Sequence, residues 1–140
     1  MEVEVNLDTG EVKILRVISA TDVGKAINPL GLQGQVDGGI IMGIGHALTE
    51  EFIVEDGIIF TDYLARYRMP SVAHIPEEIK SIVVEDPTRE GPYGAKGVGE
   101  ISTMPTPPAI INAVYNACGV RLNRIPVDQD SLSKQIKNLK

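Results

Sequence analysis

Val3, Val5 and Leu7 alternate with Glu4 and Asn6, and an apolar-rich run resumes from Val12 to Ile18 after Asp8-Thr9-Gly10. Period-two alternation on both sides of a turn-forming triplet predicts a β-hairpin. Asn28-Pro29 then marks a turn, and the stretch from Leu30 to about Glu51 has the length of a helix. That helix would contain Gly31, Gly34, Gly38, Gly39, Gly43 and Gly45. Each glycine weakens a helix by roughly 1 kcal/mol relative to Ala, so packing must compensate. Gly34, Gly38 and Gly45 fall at helical spacing on one side, which predicts close approach of that face to another backbone or a flat ligand; a tight helix crossing in the core is the plainer account for most of these glycines.

Two apolar-rich runs, 51–55 and 58–61, meet across Asp56-Gly57 and predict a second hairpin. Tyr63 to Met69 leads into Pro70, the segment 70–76 reads as a loop, and 78–85 reads as a strand buried mostly on one side. Pro105, Pro107 and Pro108 precede a short helix, 109–118, that would bury Ile110, Ile111, Val114 and Ala117 and close on Gly119. Val120 to Leu122 reads as a short strand, and a last helix capped by Asp130 or Ser131 would carry Leu132, Ile136 and Leu139 on one stripe. The pattern predicts an α+β fold of antiparallel β-hairpins packed with a glycine-rich helix and two shorter C-terminal helices, with residues 1–140 as a single domain.

Composition narrows the function. A hydrophobic share of 43% with 23% charged residues fits an ordinary globular protein. The apolar stretch from Gly38 to Leu48 is interrupted by glycines and His46 and is shorter than a membrane span, so no membrane partner is expected. A net charge of −6 argues against a nucleic-acid face. Lys134, Lys137 and Lys140, like Arg66 with Arg68, read as solvated surface. Cys118 alone cannot form an internal disulfide and the N-terminus lacks signal-peptide character, so a cytoplasmic location is expected. His46 reads as a core histidine and His74 as an exposed loop residue; two isolated histidines do not make a zinc site.

The chemistry concentrates in Gly91-Pro-Tyr-Gly-Ala-Lys-Gly-Val-Gly-Glu100. Glycines at 91, 94, 97 and 99 let the backbone pass very close to another group. Glu100, read as lying just ahead of a helix, would feel the helix dipole and serve as a base. The plainer alternative is that the glycines serve tight turns and Glu100 caps that helix. Lys96 precedes Gly97 and no Ser or Thr follows, which excludes a P-loop, and Leu48 stands where a dinucleotide fingerprint starting at Gly43 needs its third glycine.

Two blocks together carry a family resemblance. Gly94-Ala95-Lys96-Gly97-Val98-Gly99-Glu100, followed by a proline-rich spacer, Ala109 to Val114 and Gly119-Val120-Arg121, forms one. Asp22 to Pro29, Gly34-Gln35-Val36-Asp37-Gly38-Gly39 and Gly43-Ile44-Gly45 form the other. In this order they resemble the C-terminal part of the molybdenum hydroxylase large subunit, the xanthine dehydrogenase and aldehyde oxidase family, over nearly the whole chain.

The resemblance implies a component of a molybdenum-dependent oxidoreductase that hydroxylates a purine, N-heterocycle or aldehyde carbon with water-derived oxygen. In that family the glutamate matching Glu100 is the general base, and the cofactor carries the redox chemistry. The resemblance further implies a molybdenum-molybdopterin cofactor, with or without a cytosine dinucleotide. The cofactor-contacting residues would be Gln35 and Gly34 on the helix and Ala95, Lys96, Gly97, Val98 and Gly99 on the loop, with no protein ligand to the metal. Implied partners are the remaining segments of the molybdopterin-binding subunit, iron–sulfur and FAD subunits or domains, and a small-molecule substrate. Family large subunits are several times longer, so the chain is expected to be a fragment or one piece of a split subunit, inactive in isolation. The alternative is a non-catalytic pterin-binding or assembly module that keeps the fold.

Overall fold

The computed structural model describes residues 1–139. The first hairpin forms as its pattern predicts, with β1 (Glu2–Val5) antiparallel to β2 (Val12–Asp22) and Val3 opposite Ile14. β2 runs well past the hairpin, and its second half pairs in parallel with β5 (Glu78–Val84), Ala20 facing Ile82 and Asp22 facing Val84. The sheet is therefore mixed, in the order β1-β2-β5, which corrects the expectation of antiparallel hairpins alone. The chain leaves β2 through a long helix before returning, and such a crossover brings a strand back in the same direction.

That helix, α1 (Pro29–Leu48), starts where Asn28 accepts a hydrogen bond from Gly31 N at 3.1 Å, with Pro29 in the first turn. Val36, Ile40, Ile44 and Ala47 make a buried stripe along it. α3 (Thr106–Cys118) begins three residues earlier than expected, closes on Gly119, and adds Ile110 and Val114 to the core; Ala117 is exposed. Cys118 is half-buried, its thiol directed at Val114 O. α4 (Gln129–Asn138) contributes Leu132 and Ile136. Its cap is Asp128, whose Oδ1 accepts from Asp130 N and Ser131 N, so the cap lies before the two residues expected to provide it. Leu139 is exposed, leaving the stripe with two members. Ile14 and Val17 of the sheet, with Val120 and Val127 from the connections, complete one apolar cluster.

The second hairpin shrinks to β3 (Val54–Glu55) and β4 (Ile58–Ile59), all exposed. Asp56 and Gly57 both have positive φ, 49° and 80°, the conformation that an Asp-Gly hairpin turn requires. A short helix, α2 (Leu64–Tyr67), and a 3-10 turn at Val72–His74 occupy the lead-in and loop around Pro70. Residues 120–122 form no strand: Val120 is buried against the helices, and the three residues pair with no sheet edge.

Candidate functional site

The glycine-rich loop is tied to the end of β2 before it reaches its open section. Lys96 N donates to Val23 O at 2.9 Å, and Lys25 N and Thr88 N both donate to Gly94 O at 3.1 Å. Gly24 has φ +66°, and a Cβ there would strike Gly94 O and lie 2.9 Å from Lys96 N; only glycine permits this approach. A side-chain bridge reinforces the backbone contacts. Lys96 Nζ sits 2.5 Å from Asp22 Oδ2 and 3.6 Å from Asp86 Oδ2, while Asp22 Oδ1 accepts from Gly24 N at 2.9 Å. The Asp22 carboxylate raises the Lys96 pKa above the usual ammonium value. In return Lys96, followed by the Gly24 N–H, holds Asp22 below the usual carboxylate range. Next to it Glu85 is lowered first by the Ala26 N–H and then by Lys25.

Beyond Lys96 the chain crosses to α1, where Gln35 Nε2 donates to Gly99 O at 2.5 Å. That bond leaves Gln35 Oε1 without a partner among the described residues. A Cβ built on Gly34 or Gly38 of the helix, or on Gly97 or Gly99 of the loop, would meet nothing within 4 Å. Glycine at these four positions is thus not required by internal packing. They leave bare backbone on both elements joined by the Gln35–Gly99 bond. Val98 turns inward and packs on the core, and Ala95 is half-buried with its N–H on Pro92 O.

Of the face formed by Gly34, Gly38 and Gly45, only Gly45 meets protein, and the other close approaches lie on the face beside it. Gly39 and Gly43 are the close-contact positions: a Cβ on Gly39 would strike Ser102 Oγ, and one on Gly43 would lie 2.5 Å from Thr106 Cβ and 2.8 Å from Thr103 O. Gly45 approaches Glu50 and Pro70. Ser102, Thr103 and Thr106 are buried, and Thr106 Oγ1 donates to Ser102 O at 2.8 Å. These three residues seat the end of the loop on α1. Sequence reasoning passed over them; the small hydroxyl residues opposite helix glycines were the available signal.

Glu100 is exposed, and its carboxylate has no hydrogen-bond or ion-pair partner among the described residues. Its carbonyl accepts from Thr103 N at 3.0 Å, and turns at 101–105 separate it from Thr106, where α3 begins. Glu100 therefore neither caps α3 nor lies in its first turn, because residues 101–105 intervene.

The histidines stand elsewhere. His46 is half-buried with Nε2 3.5 Å from Glu50 Oε2, which also accepts from Tyr67 OH at 3.0 Å. His74, expected to be exposed, is half-buried and its Nδ1 accepts from Ser71 N. No group of three or more His, Cys, Asp or Glu side chains suited to a metal ion occurs among the described residues. A groove of about 1130 Å³ lined by Arg68, His74, Arg121 and Asp130 shares no residue with the glycine loop, so cavity size does not select the site.

The family model described as a molybdopterin cofactor-binding domain matches residues 1–76. The chain belongs to the molybdopterin cofactor-binding domain family. Among curated relatives, a probable xanthine dehydrogenase subunit of Bacillus subtilis (strain 168) is 38% identical over 97% of this chain and 18% of its own length. The aldehyde oxidoreductase molybdenum-binding subunit PaoC of Escherichia coli (strain K12) is 36% identical over 99% of this chain and 19% of its own. The crystal structure of quinoline 2-oxidoreductase from Pseudomonas putida 86 superposes with a TM-score of 0.87 at 30% identity, covering 96% of this chain and 18% of that one. The chain thus corresponds to a segment of the molybdenum-binding subunit in the xanthine dehydrogenase and aldehyde oxidoreductase family, and it spans under one fifth of these three relatives. No helix among the described residues is long and apolar enough to cross a membrane.

The residues present fit a pterin cofactor. Bare glycine backbone on two elements offers a surface that any Cβ would fill, and the exposed Gln35 amide keeps an acceptor free beside it.

Proposed function

We propose that this chain supplies the general base and part of the pterin pocket of a molybdenum hydroxylase. The observation that carries the reading is the set of four open glycines, Gly34, Gly38, Gly97 and Gly99, around the Gln35–Gly99 bond, with the free Glu100 carboxylate as the next residue. Gln35, Gly34 and the loop backbone from Gly97 to Gly99 would hold the molybdopterin, in the plain or the cytosine dinucleotide form, the Ala95 and Lys96 N–H groups being taken by Pro92 O and Val23 O. When bound, that cofactor supplies the two-electron redox chemistry. The protein's part is to hold the pterin edge with amide groups and to take a proton. An exposed carboxylate with no competing partner can accept that proton once substrate and the rest of the pocket close over it. Glu100 has no use in mere pterin storage, which favours an enzyme component over a binding module.

The relatives' names span xanthine, aldehyde and quinoline oxidation, so the substrate proposed is a small molecule with an electron-poor carbon of one of these classes. Completing the enzyme would take the remaining segments of the molybdenum-binding subunit together with iron–sulfur and FAD partners, in the cytoplasm. The test is Glu100→Gln in the assembled enzyme. Molybdenum content should be unchanged while turnover falls by about a hundredfold or more, the usual scale of a lost acid–base group. Near-normal turnover would sink the role.

A further inference from the structure

The segment bearing Glu100 is tied by side chains at two points, and between them only Val98 packs on the core. At its upstream end Lys96 reaches back across the loop to Asp22, the last residue of β2, and Asp22 uses its other oxygen on Gly24 N. Downstream, Gln35 Nε2 holds Gly99 O. Gly97 and Gly99, between or at these anchors, have no Cβ to restrict the chain and no neighbour in the space a Cβ would fill. A glycine-rich span has the largest conformational freedom to lose, so the anchors decide how narrowly it is held.

We infer that Lys96 acts as a positioning residue: its ion pair with Asp22 clamps the loop onto the end of β2 and thereby sets where Gly97 to Glu100 stand. The inference rests on the reading of Glu100 as the base, and it gives Lys96 a role different from cofactor contact. Lys96 Nζ points to Asp22 and, more distantly, to Asp86, and both carboxylates belong to this chain. Its ammonium is occupied on the side of the loop where β2 ends. An ammonium held this way fixes a backbone through charge-assisted bonding without touching a ligand.

The test uses the purified native assembly with wild-type sequence, Lys96→Met, Lys96→Arg, Asp22→Asn, or Asp22→Asn combined with Lys96→Met. Amide hydrogen exchange read by mass spectrometry on peptides covering 94–100 reports the loop. Peptides from β1 and α3 report the rest of the fold, and elemental analysis gives molybdenum per subunit. Lys96→Met and Asp22→Asn should each speed loop exchange by roughly three- to fivefold, the scale of a partly exposed ion pair. The double variant should exchange no faster than Lys96→Met, because that substitution already removes the contact to Asp22 together with the more distant one to Asp86. Lys96→Arg should stay near wild type.

Unchanged loop exchange in Lys96→Met, additive effects in the double variant, or equal acceleration in β1 and α3 would overturn the clamp. So would loss of molybdenum in Lys96→Met with a loop as protected as wild type, since Lys96 would then be a cofactor contact and the reading of Glu100 would stand. Loosening confined to the loop, together with normal turnover of Glu100→Gln, would uphold the clamp and remove the base.

Discussion

Two kinds of glycine share α1, and substituting one of each should move stability in opposite directions. An alanine at Gly43 puts its Cβ 2.5 Å from Thr106 Cβ and 2.8 Å from both Thr103 O and Thr106 Cγ2. Carbon contacts are most favourable at about 3.5–4.0 Å, so the methyl group overlaps two opposing residues by roughly 1 Å. Thr103 O is backbone and Thr106 is buried and hydrogen-bonded, so neither yields as the end of a flexible side chain does. Overpacking of this kind costs about 1–3 kcal/mol, here at the upper end, against a helix-propensity gain of about 1 kcal/mol. The net expectation is a loss of about 2 kcal/mol. An alanine at Gly34 meets nothing within 4 Å and keeps the propensity gain of about 0.5–1 kcal/mol. Urea unfolding of the two cofactor-free variants beside wild type should separate them by about 3 kcal/mol, while Gly34→Ala in the assembled enzyme should retain less molybdenum. If Gly43→Ala proved as stable as Gly34→Ala, the packing account of α1 would be wrong.

The remaining predictions are smaller. Asn28→Ala removes the side-chain cap of α1 and should cost about 1 kcal/mol in the same unfolding assay, with Asn28→Asp close to wild type. The Asp22–Lys96 clamp should show its own pH window. Because the folded Asp22 pKa is depressed, its contribution is present above the unfolded carboxylate value, about 3.9, and is lost as pH falls through the folded one. Because the Lys96 pKa is raised, its contribution is complete below about 10.4 and is lost as pH climbs through the folded value. Asp86, which also faces Lys96, weakens neither sign. The stability gap between wild type and Asp22→Asn, followed by thermal unfolding across pH, should be flat near neutrality and shrink under acid; a gap that grew as pH fell would contradict the pairing.

Much of the fold was legible because it depends on local chemistry. The first hairpin follows from alternation around Asp8-Thr9-Gly10, the start of α1 from Asn28-Pro29, the end of α3 from Gly119, and the tight turn of the second hairpin from Asp56-Gly57. Partners distant in sequence were not legible. The parallel pairing of β5 with β2 joins residues about sixty positions apart, and nothing in the period of either strand encodes a partner's direction. The extent of the second hairpin was overread for the same reason, since its apolar side chains lack a sheet to lie on.

The candidate site divides along the same line. The residue types and their order, from Gly34-Gln35 to Gly94 through Glu100, carried the family resemblance, because a motif is a property of the chain alone. Which glycines meet protein and which are left bare was decided only by packing: α1 presents Gly39 and Gly43 to Ser102, Thr103 and Thr106, and that contact turns Gly34 and Gly38 outward beside Gln35. The chain between Glu100 and α3 folds into turns at 101–105, which keep the carboxylate out of the first turn of the helix. Packing also brings Lys96 to Asp22, 74 residues away. Sequence set the chemistry available; tertiary contacts decided which groups are occupied by the protein and which remain free to meet a ligand, because occupancy depends on distance in space and a sequence specifies only distance along the chain.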